Sequence, residues 1–517
     1  MQPLASPLSY LENQMTSWKP SIKNYPHFDA IPSLATIDKI VRDHEAVAKH
    51  AFFPFLKYVQ RTNLFSKKGE KGKIKERPIR YAAHLDSCIF SYYRHMLSVL
   101  YEENLKKVHL EQSVLAYRRI INEKTHRGCC NIDYAYDAIK FIRDLENCFT
   151  ISLDISNFFE NINHKLLYNA WLKLLKNQEL KKECTDGNQI NTLPDDYYGA
   201  LISHKLPNDH YNVFKAVTKY AFVDLLSAYK RLGFYGCKKN SRGIVYEGYL
   251  LKPSNIPRQL CSVKDFRQKI AGDDGTPSLI QKNTTGVGIP QGAPMSDLLA
   301  NLYLFEFDKY AHDLCNKYEA KYCRYSDDIL IIGRFNYNAV LKIQKEICST
   351  IKNQFQLEIK EEKSAIHEFI SHGSIQSVIV HKASTKYKLN SKTKPFEYLG
   401  FRFDGKNVFI RDKTMSNLHR KITYRCRATA LSLKKRYSDK SMYDILKIYN
   451  FEKLYQSFGN VERFFEKNRD YNNWTFNTYA KRASKIFDDF GKPIQKQISG
   501  LRRKIKKRFE YELSKIC

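Results

Sequence analysis

The sequence predicts an α+β fold, and three observations carry that expectation. A β-rich apolar run, CFTISLD (148–154), closes on an aspartate, and two later stretches, YCRYSDDILIIGRF (322–335) and FEYLGFRFDGKNVFIR (396–411), alternate like hairpins. Helical periodicity fills the intervals between them. From Arg411 to Cys517 the pattern is helical and basic, with 27 Lys and Arg against 11 Asp and Glu.

The elements follow in chain order. Residues 1–60 mix prolines with short apolar runs and suggest a packed lead-in segment. LFSKKGEKGKIKERPIRY (64–81) suggests two short strands around a glycine-bearing basic turn. Asp86 to Leu105 repeats apolar residues at helical spacing, with Ile89, Tyr92, Tyr93, Leu97 and Leu100 on one side. After Asp154 a turn leads into a helix near Asn163. Residues 165–285 contain an apolar helix, Val213–Leu232, among polar connections. ANLYLFEFDKYA (300–311) is helical, the 322–335 hairpin has Asp327-Asp328 at its bend, and the 396–411 hairpin turns at Asp404-Gly405-Lys406.

Composition narrows the function. At 517 residues with 43% apolar content the chain can bury a large core. A net charge of +32 invites a polyanion, and 35 Tyr with 31 Phe supply faces on which bases can stack. The twelve cysteines include no CxxC pair, which argues against a zinc ribbon or disulfide framework and fits a reducing cytosol. No apolar stretch approaches membrane-spanning length, so the expected location is cytoplasmic, with no membrane partner.

The aspartates carry the chemistry. Two adjacent carboxylates flanked by Ile329, Leu330, Ile331 and Ile332 are costly without a cation. Magnesium prefers carboxylate, water and phosphate oxygens, and phosphoryl transfer from a nucleoside triphosphate needs such ions. Asp-Asp is also ordinary turn chemistry, so the pair alone decides nothing.

Its neighbours decide more. Tyr325-Ser326-Asp327-Asp328 resembles the YxDD box, palm motif C, of reverse transcriptases, and LDISNFFENI (153–162) resembles their motif A. GIPQGAPMSDLLANLYL (288–304) resembles motif B of the bacterial branch, LEIKEEKSAI (357–366) motif D, and FEYLGF (396–401) motif E. The five stand in the family's order. KIKERPIRY and SVLAYRR (113–119) resemble the preceding fingers segments.

This resemblance implies a right-hand polymerase fold. The fingers would span 61–147, and a palm with an antiparallel sheet 148–395, carrying the long insertion 165–285. A primer-grip hairpin at 396–410 and a basic helical thumb with extension at 411–517 would complete it. It implies two Mg²⁺ ions, replaceable by Mn²⁺, on Asp154, Asp327, Asp328 and the carbonyl of Ile155. Lys73, Lys75 and Arg77 would meet the triphosphate, and Gln291 and Gly292 the incoming sugar and templating base. Lys363 would protonate the leaving pyrophosphate, and Tyr398, Leu399 and Gly400 would grip the primer. Phe159, five residues after the motif A aspartate, would exclude a ribose 2′-OH; RNA polymerases of the RNA-dependent kind place an aspartate there and carry Gly-Asp-Asp at motif C. The Arg502, Arg503, Lys504, Lys506, Lys507 and Arg508 cluster is a candidate nucleic-acid contact.

Within that family, no zinc cluster, His-Asn-His segment or RNase H domain follows the thumb, and the retron NAxxH and VTG signatures are absent. The closest resemblance is to the bacterial "unknown group" and abortive-infection enzymes. It implies dNTPs, an RNA template that is a structured noncoding RNA, a DNA product, an anti-phage role, and a homo-oligomer or protein partner. A retron-like or intron-derived enzyme and a non-catalytic RNA-binding protein are the alternatives.

Overall fold

The computed structural model describes residues 17–63, 74–123, 126–179, 200–240, 243–273, 275–381, 392–459 and 475–516. The fold class is α+β, as the sequence predicts.

The chain opens with helices Leu34–Arg42 and His44–Lys49, then β1 (Phe55–Asn63) and β2 (Ile74–Tyr81). These two strands pair antiparallel, with Asn63 opposite Ile74. The hairpin expected over 64–81 therefore begins earlier. Phe55 and Leu56 are buried and anchor the first strand in the core. Lys73 lies outside the described residues.

The predicted helix after it spans His84–Lys107 and buries Ile89, Tyr93, Leu97 and Leu100 along one side. A short β3 (Ile121–Asn122) and β4 (Arg127–Gly128), then a helix Asn131–Leu145, lead to β5 (Cys148–Asp154). A single helical turn, Phe158–Asn161, and a helix His164–Glu179 follow.

The single helix expected over Val213–Leu232 is instead two helices, Asn208–Thr218 and Leu225–Arg231, separated by β6 (Ala221–Asp224). Phe222 lies opposite Phe55 in a parallel pairing with β1, and Asp224 caps the second helix by accepting from Ser227 N. Tertiary pairing overrides helical spacing here. Part of the 165–285 stretch thus completes the first sheet. Then come β7 (Tyr235–Lys239) and β8 (Val245–Tyr249), a separate hairpin, and β9 (Gln281–Lys282). The first sheet has the order β2-β1-β6-β9.

The 300–311 helix is two, Ser296–Tyr303 and Phe305–Asn316, meeting at Leu304. Next are β10 (Lys321–Tyr325), β11 (Asp328–Gly333), a helix Tyr337–Phe355, β12 (Ala365–His372), β13 (Ile375–His381) and β14 (Lys392–Thr393). With β5 these form the central antiparallel sheet, order β10-β11-β5-β12-β13-β14. The second expected hairpin has three strands, β15 (Phe396–Tyr398), β16 (Phe401–Phe403) and β17 (Val408–Ile410).

The basic region is helical where it is described. The helix Asp412–Arg436 buries Leu418, Ile422, Cys426 and Ala430 against Leu501, Ile505, Phe509 and Leu513 of the helix Leu501–Ser514. Both stripes step by four residues, so each helix hides one narrow apolar face and turns its charges outward. Among the described residues no helix is long and apolar enough to cross a membrane.

Candidate active site

The site is made where β5 ends and β11 begins. Antiparallel register sets Asp328 directly opposite Asp154. Ser326 and Asp327 form the two-residue connection from β10, with Ser326 at φ 60° and Tyr325 opposite Asp328. Ile155, fully buried, donates its N–H to the Asp327 carbonyl at 2.9 Å, which ties the chain leaving β5 to that turn. Lys360 N–H donates to the Asp154 carbonyl at 2.8 Å and brings in the 357–363 segment.

That segment delivers two lysines. Lys363 Nζ lies 2.7 Å from Asp154 Oδ2, and Lys360 Nζ lies 3.3 Å from Oδ1. The second contact lacks hydrogen-bond geometry, so Oδ1 is buried without a hydrogen-bond donor. Burial, then the charges of Asp327 and Asp154, push the Asp328 carboxyl up to about 6.

The turn rests on a buried polar scaffold. Arg324 is fully buried and forks onto Asp308, with Nε and Nη2 each donating at 2.6 Å. Its Nη1 donates to the Ser326 carbonyl at 3.0 Å and to Asn301 Oδ1 at 3.1 Å. Asn301 in turn donates to the Ala116 carbonyl at 2.9 Å. Tyr322 OH donates to Asp308 at 2.7 Å. From the other side, the Tyr117 and Ser326 hydroxyls share a hydrogen bond of 2.8 Å. Tyr117 stands at φ 65°, a left-handed conformation that costs a side-chain-bearing residue and points its ring into the site.

Phe158 and Phe159 part as alternate neighbours must. Phe158 is buried in the core, whereas Phe159 is half-buried with its ring edge-on to Tyr117 at 6.4 Å. The Phe159 carbonyl accepts from Ile289 N–H at 2.8 Å, which joins the 158–161 turn to the Pro290-Gln291-Gly292 loop. The Gln291 carbonyl accepts from Arg80 N–H at 2.7 Å on the free edge of β2. Gly292, at φ 113°, comes so close that a Cβ would stand 2.7 Å from the Arg80 carbonyl.

Lys75 and Arg77 are exposed on β2. Desolvation first, then the charges of Arg77, Lys363, Lys360 and Lys413, lower the Lys75 ammonium's pKa. Tyr398 is buried, and Leu399 (φ 44°) and Gly400 (φ 94°) form the β15–β16 turn. The Leu399 carbonyl accepts from Asn131 Nδ2 at 3.0 Å.

The structure therefore brings together Asp154, Asp327, Asp328, Ile155, Lys363, Phe159, Gln291 and Gly292, with β2, which carries Lys75 and Arg77, joined to the Gln291-Gly292 loop through Arg80 and Ile79. The C-terminal basic cluster is a different surface. Arg502 pairs with Glu452 and Arg508 with Glu512, whereas Arg503, Lys504, Lys506 and Lys507 are exposed on the outer face of Leu501–Ser514. If that face holds phosphates, changing those four to Gln flattens the slope of log affinity against log salt by about 3 for single-stranded RNA. Filter binding from about 50 to 300 mM KCl reads this, and an unchanged slope assigns the charges to a solvated face.

Among the described residues, no three His, Cys, Asp or Glu side chains converge tightly enough to hold a metal ion. Lys363 and Lys360 hold the Asp154 carboxylate instead. The donor chemistry nonetheless fits a hard cation: oxygen ligands only, one buried carboxylate oxygen without a donor, and a like-charge carboxyl raised beside it.

Residues 258–403 match the family model described as reverse transcriptase (RNA-dependent DNA polymerase). The matched stretch holds the Pro290-Gln291-Gly292 loop, the aspartate turn and Lys363. Asp154 lies outside it and reaches the same site through the β5–β11 pairing. Five of the six strands of the central sheet, all but β5, lie within the matched stretch. Similar solved structures include apo telomerase from Candida tropicalis truncated from its C-terminal domain, at 11% identity and TM-score 0.33, covering 73% of this chain and 60% of that one. Telomerase from Candida albicans in complex with a TWJ fragment of telomeric RNA is 10% identical, with TM-score 0.35, covering 97% of this chain and 72% of that one. The chain thus spans about three fifths of the first and under three quarters of the second.

Proposed function

We propose that this chain is an RNA-directed DNA polymerase that extends a primer with dNTPs at the β5–β11 junction. One observation carries the reading: strand register sets Asp154 opposite Asp328, beside the Asp327 turn, with a lysine at 2.7 Å. Asp154, Asp327, Asp328 and the Ile155 carbonyl would hold two Mg²⁺ ions, for which Mn²⁺ can stand in; bound there, they lower the charge on the reacting phosphate oxygens.

The chain's own residues then have separate tasks. Lys75 and Arg77 draw in the triphosphate. Gln291 and Gly292, held against β2 by the Arg80 contact, wall the pocket on which the base pair forms. Lys363 holds a proton beside Asp154 and is placed to give it to the departing pyrophosphate. Tyr398, Leu399 and Gly400 steady the primer end. The finer reading, a bacterial anti-phage enzyme copying a structured noncoding RNA, rests on the motif resemblance and the basic helical C-terminal region. Sequencing the nucleic acid that copurifies from the native host tests it; random cellular RNA would count against it.

The activity is tested by incorporating dNTPs on a primed RNA template with Mg²⁺ or Mn²⁺. Incorporation abolished by EDTA is the expected result. Folded protein that incorporates nothing on primed RNA with either ion overturns the reading.

Phe159 sets the sugar. Its half-buried ring is braced by Tyr117 and occupies the volume that a 2′-OH would need. Phe159→Val is expected to loosen discrimination against ribonucleotides by roughly one to three powers of ten, at about 1.4 kcal/mol each. Single-turnover rates with dGTP and GTP on both proteins read this. If both efficiencies fall together, Phe159 is packing only.

A further inference from the structure

The β7–β8 hairpin lies in the stretch that the polymerase reading leaves without a task. It carries a dense patch of exposed large side chains: Ile244, Val245, Tyr246, Tyr249, Leu250 and Leu251. Its basic residues Lys238, Lys239 and Lys252 outnumber its one acid, Glu247, which is already paired with Lys230.

Alternation along the strands separates its two faces. Tyr235 and Tyr249 stand opposite one another on the face that packs toward the helix Leu225–Arg231, where Tyr249 meets Tyr229 at 6.2 Å. Lys238 and Tyr246 occupy the opposite face. Gly248 lets Lys238 lie flat there, since a Cβ would stand 2.7 Å from its Cε, and its ammonium sits 5.2 Å over the Tyr246 ring.

The Tyr249 face meets the first sheet where Tyr229 and Tyr235 pack with Tyr81. On β2, Lys75, Arg77, Ile79 and Tyr81 alternate onto one face, and Tyr58 of β1 lies opposite Ile79 on that same face. Tyr58 touches Tyr81 at 6.2 Å. Tyr81 packs in one cluster with Tyr229 and Tyr235, so the ring contacts run from Tyr58 through Tyr81 and Tyr229 to Tyr249. At the other end, Ile79 stands against Gly292 and Lys75 neighbours Lys360 and Lys363. Tyr58 and Tyr249 are 40% and 41% exposed, enough to offer ring faces to a ligand.

We propose that the face running from Lys75 and Arg77 through Tyr58 to Tyr249 holds single-stranded nucleic acid, with bases stacked on the two tyrosines. A protein or second copy would suit the aliphatic residues. The surplus of positive charge and the unbroken path from the phosphate-facing lysines favour a polyanion with aromatic bases. That the strand is the template rests on the polymerase reading; that it binds does not.

The test uses the full chain and fluorescein-labelled oligouridylate of 20 nucleotides, read by anisotropy without dNTPs or divalent metal. An abasic strand of equal length is the charge control. The Tyr58→Ala/Tyr249→Ala protein should lose affinity at least about tenfold, the equivalent of about 1.4 kcal/mol. Tyr58→Phe/Tyr249→Phe keeps the rings and should bind as wild type does. Tyr246→Ala, 44% exposed but on the opposite face, should change nothing. The proposal is overturned if the alanine pair binds normally, if the abasic strand binds equally well, or if Tyr246→Ala weakens binding as much. It is also overturned if the alanine pair abolishes a wild-type dimer while leaving affinity intact. Because binding is read without turnover, a wild-type protein that binds but fails to incorporate dNTPs speaks against the polymerase reading alone.

Discussion

Replacing Asp327 with Asn lowers dNTP incorporation by an expected three or more powers of ten, about 4 kcal/mol, while the protein stays folded. Asparagine keeps the size and the turn propensity of the residue, and the turn is held from below by Arg324 and Tyr117 rather than by the Asp327 carboxylate. What is lost is one negative oxygen donor. Stability should move the other way. Burial, Asp327 and Asp154 hold the Asp328 carboxyl at about 6, above its usual value of 3.8. A carboxyl raised on folding destabilises the protein above its folded value, and that penalty disappears as pH falls from 6 to below 4. Removing the Asp327 charge relieves part of it. Metal-free Asp327→Asn should therefore melt higher than wild type at pH 8 and equally at pH 4. Near-normal incorporation by a folded Asp327→Asn protein would sink the active-site assignment.

Arg324 is the position where a single change should cost the fold most. Its guanidinium is fully buried, forks onto a fully buried Asp308, and spends its remaining nitrogen on the turn carbonyl and Asn301. Arg324→Met leaves the Asp308 carboxylate in the core with only the Tyr322 hydroxyl, an uncompensated charge that costs about 3–5 kcal/mol. Denaturant unfolding measures this. Arg324→Met/Asp308→Leu removes both charges and should recover most of the stability, because an apolar pair of similar volume can replace a buried ion pair. Incorporation should not recover with it, since the Ser326 carbonyl has lost its donor and the aspartate turn its anchor. A double variant restored in both respects would reduce Arg324 to a packing residue.

Legibility in the sequence followed the range of the interactions involved. The strand closing on Asp154, the hairpin bend at Asp327, the helix from 84 and the basic helices after 411 are written in local periodicity and turn chemistry, and they form where those patterns place them. Over Val213–Leu232 a run of apolar residues satisfies helix and buried strand alike; only the pairing with β1 and β9 makes Ala221–Asp224 a strand. Arg324, Asp308, Asn301 and Tyr117 went unremarked for a related reason. An arginine before a hairpin turn and an aspartate on a helix look like surface charges until both are known to be buried.

By itself, then, the sequence marked which side chains are candidates for the chemistry, because metal-seeking carboxylates, a glycine loop and an aromatic five residues after an aspartate are local statements of composition and spacing. Tertiary structure alone decided how they meet. Register in one antiparallel sheet sets Asp154 opposite Asp328 across some 170 residues of chain, and a fold-wide packing choice puts Lys363 against Asp154 and Gly292 against β2. Such pairings depend on which strand edges and apolar faces are buried together, a property of the whole assembled core that no local pattern encodes.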